Sequence, residues 1–253
     1  MIEKALDKFD TISLKEVKLI RLMNRMDTKY MMHIDQLPEL LRLLEKDYVV
    51  QEISGSKLCP YHTMYLDTDN FEMFLNHQNG RKQREKIRIR AYIASKQVYL
   101  EVKKKNNKGR TNKQRIRIPE YETTQHNGAV HFINTNAQIP YEALSPHVET
   151  MYERITLVDR QRTERITIDL NLRFRNYRTN KYSDISDLTI IELKQDKYAS
   201  SHIRSVMSQL HISPMQISKY CMGSIYTNPM LKYNRYKLKM MRINKLSNYK
   251  YIR

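Results

Sequence analysis

The sequence has few glycines, few cysteines and no long apolar run. With five glycines among 253 residues, it has no Gly-rich loop of the kind whose backbone amides hold phosphate groups. If this protein binds phosphate, we therefore expect side chains to hold it. The two cysteines, Cys59 and Cys221, lie far apart in apolar or aromatic surroundings, so we expect buried thiols rather than a disulfide or a metal pair.

The sequence also lacks the features of membrane insertion and of a histidine metal site. No apolar run approaches the ~20 residues that a membrane-spanning helix needs, and the first residues lack the apolar core of a signal peptide. We therefore expect a cytoplasmic protein. The eight histidines show no pair at the spacing of metal ligands, so none is assigned to a metal.

Acidic residues are too few to balance the basic ones. The chain has 45 Lys and Arg against 27 Asp and Glu, which gives a formal net charge of +18. An excess of this size indicates an anionic partner, and nucleic acid, membrane phosphate and a polyanionic small molecule or polymer all fit it.

Alternating patterns predict strands with one cationic face. In the segments 85–92 and 98–105, apolar residues alternate with charged ones, so Arg88 and Arg90 share a face, as do Glu101 and Lys103. The same pattern recurs at 163–169 and 190–194. For a single strand, such a face fits the solvated side of an antiparallel sheet. In a closed barrel it would line the interior, where buried cations need anions such as a phosphate chain.

The complete pattern predicts an α+β fold. About eight or nine strands with mostly short connections favour a closed antiparallel β-barrel of about eight strands, with helices packed outside. Helices are predicted as two short segments within 2–23 and at 36–45, 71–76, 202–210 and 214–226. We expect one domain over 1–228 and a basic tail over 229–253. The tail has eight Lys or Arg and no acidic residue, which fits a disordered or loosely docked segment, or a contact with anionic lipid or polyphosphate.

Seven short motifs occur in one order along the chain. They are Thr28-Lys29-Tyr30, Tyr65-Leu66-Asp67-Thr68, Ile87-Arg88-Ile89-Arg90, Glu101-Val102-Lys103, Tyr152-Glu153-Arg154, Glu192-Leu193-Lys194 and Ser218-Lys219-Tyr220. As an ordered set they resemble the catalytic domain of vacuolar transporter chaperone (VTC) proteins, which are polyphosphate polymerases of the triphosphate tunnel metalloenzyme superfamily. The resemblance spans about residues 20–226 and includes no preceding helical domain or following membrane segment, so we expect a stand-alone form.

The resemblance implies an enzyme that transfers the γ-phosphate of ATP, or of another nucleoside triphosphate, to a polyphosphate chain inside a basic tunnel. It implies catalytic roles for Lys29, Arg88, Arg90, Lys103, Arg154, Arg165 and Lys219. It implies phosphate or nucleotide binding by Lys29, Arg88, Arg90, Lys103, Lys113 and Lys194. A divalent metal, Mn²⁺ or Mg²⁺, would be held by Glu192, with Glu101 as the next carboxylate.

Other interpretations of the same residues stay open. A triphosphatase or polyphosphate hydrolase of the same fold would use the same cations, and a non-catalytic polyanion-binding or RNA-binding module would bind without turnover. Nucleic acid is not the expected partner, because the aromatic residues are not grouped as in a single-stranded RNA platform. Glu101 with Lys103, and Glu192 with Lys194, also fit ordinary ion pairs on a sheet face.

Overall fold

Eleven strands form one sheet in the computed structural model, which describes residues 2–20, 25–108, 110–121, 127–196 and 201–247. The strands are β1 Thr11–Ser13, β2 Arg25–His33, β3 Tyr48–Glu52, β4 Cys59–Asp67, β5 Arg84–Tyr92, β6 Gln97–Lys105, β7 Thr111–Ile118, β8 Ser145–Asp159, β9 Glu164–Asn176, β10 Tyr182–Asp184 and β11 Leu188–Asp196. The helices are α1 Ile2–Leu6, α2 Leu14–Leu19, α3 Leu37–Leu44, α4 Glu72–Gln78, α5 Asn127–Asn136, α6 His202–Gln209, α7 Lys219–Thr227 and α8 Lys237–Leu246. Short 3-10 turns lie at Ile34–Gln36, Ile93–Ser95, Tyr141–Ala143 and Asn234–Tyr236.

Local sequence signals account for several of these boundaries. Ser13 and Glu16 form the predicted capping box at the start of α2, with the Glu16 amide donating to Ser13 Oγ at 3.3 Å. Helix α3 has Pro38 in its first turn, where the missing N–H has no intrahelical partner to lose. Its leucines recur at helical spacing, and Leu40 and Leu44 are fully buried.

The main run of the sheet has the order β2-β11-β9-β8-β4-β5-β6-β7, and each neighbouring pair is antiparallel. Strand β3 pairs with the far end of β8 and in parallel with β1, while β10 pairs with β9. Side chains of residues that face each other across such a ladder lie on the same side of the sheet. The register therefore defines two faces: an apolar face and a basic face, the latter carrying Lys29, Arg88, Arg154, Arg165 and Glu192.

Helices cover the apolar face. Helices α1, α3 and α6 pack on the half formed by β2, β11, β9 and β8, where Ile155, Ile168 and Leu193 are fully buried. Helix α5 packs on β6 and β7, against Leu100 and Ile118. Burial of these apolar side chains is the main stabilising contribution to the sheet. Helix α7 instead packs against β8 and β9 and brings Lys219 to the basic face.

The sheet curls around its basic face. Five strand spacings separate β2 from β5, which in a flat sheet would put the two strands ~24 Å apart. Yet Lys29 Nζ on β2 donates to the Ile217 carbonyl at 3.3 Å, and Lys86 Nζ on β5 donates to Ser218 Oγ at 3.2 Å. Since residues 217 and 218 are consecutive, the strands carrying these two lysines must bend towards each other.

The predicted closed barrel is wrong. In the described part of the chain, the sheet ends at β2 and β7, which do not pair with each other. The outer edge of β2 instead contacts the segment before α7, because Tyr30 bridges to Pro214 and the Met215 amide donates to the Lys29 carbonyl. Strand β7 leaves most of its residues exposed. The mixture of helices with an antiparallel sheet was predicted correctly, but the pairing of its edges was not.

The segment predicted as a tail contains a docked helix. Helix α8 buries Met240 and Ile243 in the core, and Tyr236 just before it is also buried. Residues 248–253 of the predicted tail lie outside the described residues, and the division of the chain at residue 228 stays a prediction. In the described ranges, no helix is long and apolar enough to cross a membrane.

Candidate functional site

The register places the predicted site residues on one face of the sheet. Across successive pairs, Lys29 faces Glu192, Lys194 faces Arg165, Arg154 faces Asp169, Arg88 faces Glu101, and Lys103 faces Lys113. Arg90 lies two residues from Arg88 on β5, and Lys219 reaches the same face from α7. Every predicted site residue is therefore in this one region, while its role in binding or catalysis stays a prediction.

Glu101 holds two of the cations. This fully buried carboxylate accepts from Arg88 Nε at 2.7 Å and pairs with Lys113 Nζ. Burial alone would raise the pKa of Glu101, but the charges of Arg88, Arg90 and Lys113 lower it well below its usual range. Glu101 is thus an ionised counterion that fixes the direction of the Arg88 guanidinium.

Asp169 holds two more cations over a tyrosine pair. Its oxygens accept from Arg154 Nε at 2.5 Å and Nη2 at 2.8 Å, and Lys219 Nζ pairs with the same carboxylate. Arg154 lies over the ring of Tyr61 at 5.0 Å, and Lys219 lies over Tyr152 at 4.5 Å. Burial opposes ionisation of Asp169, but Arg154 and Lys219 outweigh it and lower its pKa. These contacts fix Arg154 and Lys219 on the face.

Glu192 is the third carboxylate of the face. Lys194, two residues further along the same strand, donates from Nζ to the Glu192 carboxylate at 3.0 Å. Burial would raise the pKa of Glu192, but the charges of Lys194, Lys29 and Arg154 lower it well below the usual value. The ordinary ion pair that the sequence left open between Glu192 and Lys194 does form. By contrast, Glu101 pairs with Arg88 and Lys113.

Four cations of the face have no carboxylate within ion-pair distance in the part of the chain that the structure describes. They are Lys29, Lys86, Arg90 and Lys103. Arg90 is 8% exposed and donates from Nε to the Thr63 hydroxyl at 3.1 Å, and the carboxylate of Glu101 acts on it only from beyond ion-pair distance. A buried or half-buried cation without a counterion is costly. An anion bound on this face would therefore stabilise these side chains by serving as their counterion.

Burial and neighbouring charges lower the pKa of three lysines on this face, Lys103, Lys86 and Lys113. The charge of Arg88, together with burial and the charges of Arg90 and Lys113, lowers the pKa of Lys103 to about 5. Burial lowers the pKa of Lys86 to about 8 and that of Lys113 to about 8, the latter against the opposing effect of Glu101. Like charges crowded into one place shift lysine pKa values in this direction. The lowered pKa values indicate a positive electrostatic potential on this face.

Sequence reasoning missed three members of the site: Asp169, Lys86 and Ser218. Asp169 and Arg165 are four residues apart on β9, and Lys86 precedes Arg88 by two residues on β5. Period-two alternation alone would have placed both on the basic face. Ser218 was noted only as a motif residue, because its contact with Lys86 depends on the curl of the sheet.

The described residues contain no group of three His, Cys, Asp or Glu side chains that could hold a metal ion by themselves. Glu101 is tied to two cations and is fully buried, so it does not fit the second ligand that the sequence suggested. Glu192 remains partly exposed, with 21% of its side chain accessible, and among the described residues Lys194 alone lies within ion-pair distance of it. It fits the single carboxylate of an ion whose other ligands are phosphate oxygens and waters.

Several solved structures are similar to this chain at low identity. A candidate adenylate cyclase from Vibrio parahaemolyticus has 10% identity and a TM-score of 0.46, over 78% of this chain and 96% of that chain. A candidate adenylyl cyclase from Hippeastrum, described as having a dominant triphosphatase activity, has 12% identity and a TM-score of 0.47, over 78% and 93%. A conserved hypothetical protein from Pyrococcus furiosus has 13% identity and a TM-score of 0.42, over 78% and 99%. Values this low carry no functional argument.

The sequence comparison is more decisive. No curated protein sequence matches the chain, but residues 24–228 match the VTC domain. The match covers all seven motifs and confirms the resemblance that they indicated. It supports an enzyme that acts on phosphates, with triphosphate or polyphosphate as the substrate class. The chain belongs to the VTC-domain family.

Proposed function

We propose that the protein is a phosphotransferase that moves the γ-phosphate of ATP, or of another nucleoside triphosphate, to a polyphosphate chain bound on the basic face. The observation that carries this proposal is a set of basic side chains that have no carboxylate within ion-pair distance among the described residues, beside the anchored Arg88 and Arg154. They are Lys29, Lys86, Arg90 and Lys103, and Lys103 gains its charge when phosphate binds. A linear chain of phosphates supplies negative charge along its whole length, so it can meet cations that lie on several strands at once.

The anchored and the unbalanced cations have different tasks in this proposal. In Arg154, Nε–H and one N–H of Nη2 donate to the Asp169 carboxylate, so the two N–H groups of Nη1 and the second N–H of Nη2 can still donate to a phosphate. Such an arginine presents its remaining donors in a fixed direction and helps to align the reacting phosphate. Arg90 donates to a hydroxyl and, among the described residues, has no carboxylate within ion-pair distance, so a phosphate can also become its counterion.

In phosphoryl transfer, the protein mainly aligns the donor and acceptor and neutralises charge, since negative charge spreads over the oxygens of the transferring group in the transition state. Lys219 on α7 pairs with Asp169, and Lys29 on β2 lies opposite Glu192 on the same face. We assign the catalytic set as Lys29, Arg88, Arg90, Lys103, Arg154, Arg165 and Lys219, with Lys113 and Lys194 as further phosphate ligands.

Glu192 would hold a divalent ion, Mn²⁺ or Mg²⁺, together with phosphate oxygens of the substrate. There it would supply positive charge that neutralises the charge developing during transfer. Lys194 donates to Glu192 and would be a further phosphate ligand beside that carboxylate.

An incubation with γ-labelled ATP, Mn²⁺ and a short polyphosphate primer tests the proposal. Label in chains longer than the primer, resolved on a polyacrylamide gel, is the expected result. Release of labelled orthophosphate alone would identify a triphosphatase or polyphosphate hydrolase instead. Salt-dependent binding of polyphosphate or RNA without turnover would identify a non-catalytic polyanion-binding module.

A pair of matched arginine variants ties the activity to the basic face. Arg90→Gln removes an unbalanced cation of the face, and Arg173→Gln removes an exposed arginine elsewhere on the sheet. We expect Arg90→Gln to lose at least tenfold in kcat/KM and Arg173→Gln to keep wild-type activity. Equal effects of the two substitutions would contradict the assignment of the site.

A further inference from the structure

Helix α8 has two unlike faces. Met240 and Ile243 are buried in the core, and Asn244 accepts a hydrogen bond from the Tyr226 hydroxyl at 3.0 Å. Before the helix, Arg235 donates to the Asn79 carbonyl at the end of α4, at 2.8 Å. One side of the helix therefore packs on the core, and its other side faces solvent.

The outer face of α8 combines large apolar side chains with cations. Leu238 is 77% exposed and Met241 is 59% exposed. Residues three and four apart are neighbours on a helix, so Lys237, Arg242 and Lys245, all exposed, flank these two side chains on the same face. We define Lys237, Leu238, Met241, Arg242 and Lys245 as the α8 outer face. In the loop before the helix, Met230 is 87% exposed as well.

We propose that the α8 outer face docks on an anionic lipid bilayer. A helix that lies in the plane of a bilayer places apolar side chains at the boundary of the acyl chains and its Lys and Arg among the headgroups. The α8 outer face offers both kinds of side chain, and residues 229–253 contain no acidic residue that would oppose an anionic surface.

A polyphosphate chain is the competing anionic partner, and the apolar side chains argue against it. Cations alone suffice to bind a chain of phosphates, and a leucine and a methionine at the centre of the patch gain nothing from such a chain. Their exposure to water is unfavourable in the free protein, and a bilayer removes it. The composition of the α8 outer face therefore favours lipid.

Docking in this way would bring one end of the basic face close to the membrane. Tyr236, which precedes α8, packs near His77 with ring centroids 6.3 Å apart. Helix α8 also contacts β2, the strand that carries Lys29, so the proposed docking face and this part of the basic face lie on neighbouring elements. The inference does not depend on which phosphate reaction the site performs.

Vesicle flotation with the full chain tests the proposal. Wild-type protein should float with vesicles of phosphatidylcholine and phosphatidylserine in a 7:3 ratio and should not float with pure phosphatidylcholine. The triple variant Lys237→Gln, Arg242→Gln, Lys245→Gln should lower the partition coefficient about 100-fold, since each cation near an anionic surface contributes about 1 kcal/mol. The double variant Leu238→Ser, Met241→Ser should lower it about tenfold while all cations remain.

A matched control comes from α2, which also exposes cations beside an apolar residue. Leu19 is 76% exposed, and Lys15 and Lys18 are exposed near it. The variant Lys15→Gln, Lys18→Gln, Leu19→Ser should float like the wild type. All these positions are exposed, so melting temperatures and the shift on adding triphosphate should stay those of the wild type.

Three results would overturn the proposal. The first is a wild-type protein that does not float with anionic vesicles, and the second is α8 variants that float as well as the wild type. The third is loss of long-chain polyphosphate binding in the triple variant with no effect of Leu238→Ser, Met241→Ser on flotation, which would identify the α8 outer face as a polyanion surface instead.

Discussion

Lys103 illustrates how lysine and arginine differ on the basic face. The neighbouring charge of Arg88, together with burial, lowers its pKa to about 5, so this lysine is neutral at pH 7 when no anion is present. Arg88 and Arg90 cannot release their protons in this way. The arginines therefore give the face a permanent charge, and the lysines give it a charge that can return when phosphate binds.

Binding of triphosphate should take up protons. In the free protein Lys103 holds its proton only below pH about 5, and bound phosphate raises that pKa. Between the two pKa values the complex binds more protons than the free protein, so affinity should fall as pH rises, by up to about one log unit per pH unit for one lysine. Calorimetry at pH 8.5 in buffers of different ionisation enthalpy measures the uptake directly.

Lys103→Met is the matched variant for that experiment, since it keeps the length of the side chain without the amine. Proton uptake should drop by about one proton. Lys86 and Lys113, each with a pKa lowered to about 8, would account for the remainder. Unchanged uptake in Lys103→Met would mean that Lys103 does not contact the bound anion.

Glu192→Gln should separate binding from turnover. The substitution removes the charge that we expect to hold the metal, and it leaves Lys194 and Lys29 without their nearest carboxylate. Turnover should fall by at least 100-fold, while triphosphate should bind as tightly as before or more tightly. Activity assays and calorimetry in metal-free buffer give the two quantities. Near-normal turnover would place the metal elsewhere, and Glu142→Gln, at an exposed position in the 3-10 turn Tyr141–Ala143, serves as the control.

Helix α7 is the element on which the site most depends, because it brings Ser218 and Lys219 across the face. Its Tyr220 hydroxyl donates to the buried Asp67, which also accepts from the amides of Met73 and Phe74 at the start of α4. Gly223 lets the helix approach the sheet closely. A small shift of α7 would therefore move Lys219 away from Asp169.

Gly223→Ala should displace α7. An added Cβ would lie 2.6 Å from Phe174 Cδ1 and 2.8 Å from Val148 Cγ1, and both side chains are buried and cannot yield easily. Overpacking of this kind costs about 1–3 kcal/mol, which outweighs the ~1 kcal/mol that alanine gains over glycine in a helix. A thermal melt and the triphosphate affinity should both show the loss.

Gly128→Ala in α5 is the control, since nothing lies within 4 Å of its added Cβ. It should leave the stability unchanged or raise it by up to ~1 kcal/mol. If Gly223→Ala behaved in the same way, the close approach of α7 would not matter for the position of Lys219.

Across the whole molecule, the sequence predicted which residues share a face but not how the sheet ends. Alternation with period two was enough to put Arg88, Arg90 and Lys103 together, because side-chain direction along a strand is a local property. Edge pairing depends on tertiary contacts. Residues 214–218 were predicted to begin a helix, yet they run beside β2 and contact its edge, and the helix begins only at Lys219.

Helix α8 was missed for a related reason. Its apolar residues lie on two faces, with Met240 and Ile243 in the core and Leu238 and Met241 in water, so no single apolar stripe marks it in the sequence. Asp169 was likewise not assigned to the site, although its face was predictable, because its pairing with Lys219 requires the position of α7.

The stability of the whole molecule should depend on the anion that it binds. The chain has a net charge of +18, and the cations crowded on the basic face repel one another in the free protein. An anion that binds only the folded state relieves this repulsion. An anion at a concentration of ~100 times its dissociation constant adds about 2.7 kcal/mol to the free energy of unfolding. For a domain of this size, the melting temperature rises by roughly 2–4 °C for each kcal/mol.

Exposed cations elsewhere are largely screened at ~0.15 M salt and should discriminate poorly between anions. Thermal melts with triphosphate, sulfate and chloride at matched ionic strength should therefore show the largest rise in melting temperature for triphosphate. Arg90→Gln should reduce the rise caused by triphosphate and leave the effects of sulfate and chloride unchanged. Equal shifts for the three anions would mean that the basic face is a solvated surface and binds no phosphate chain.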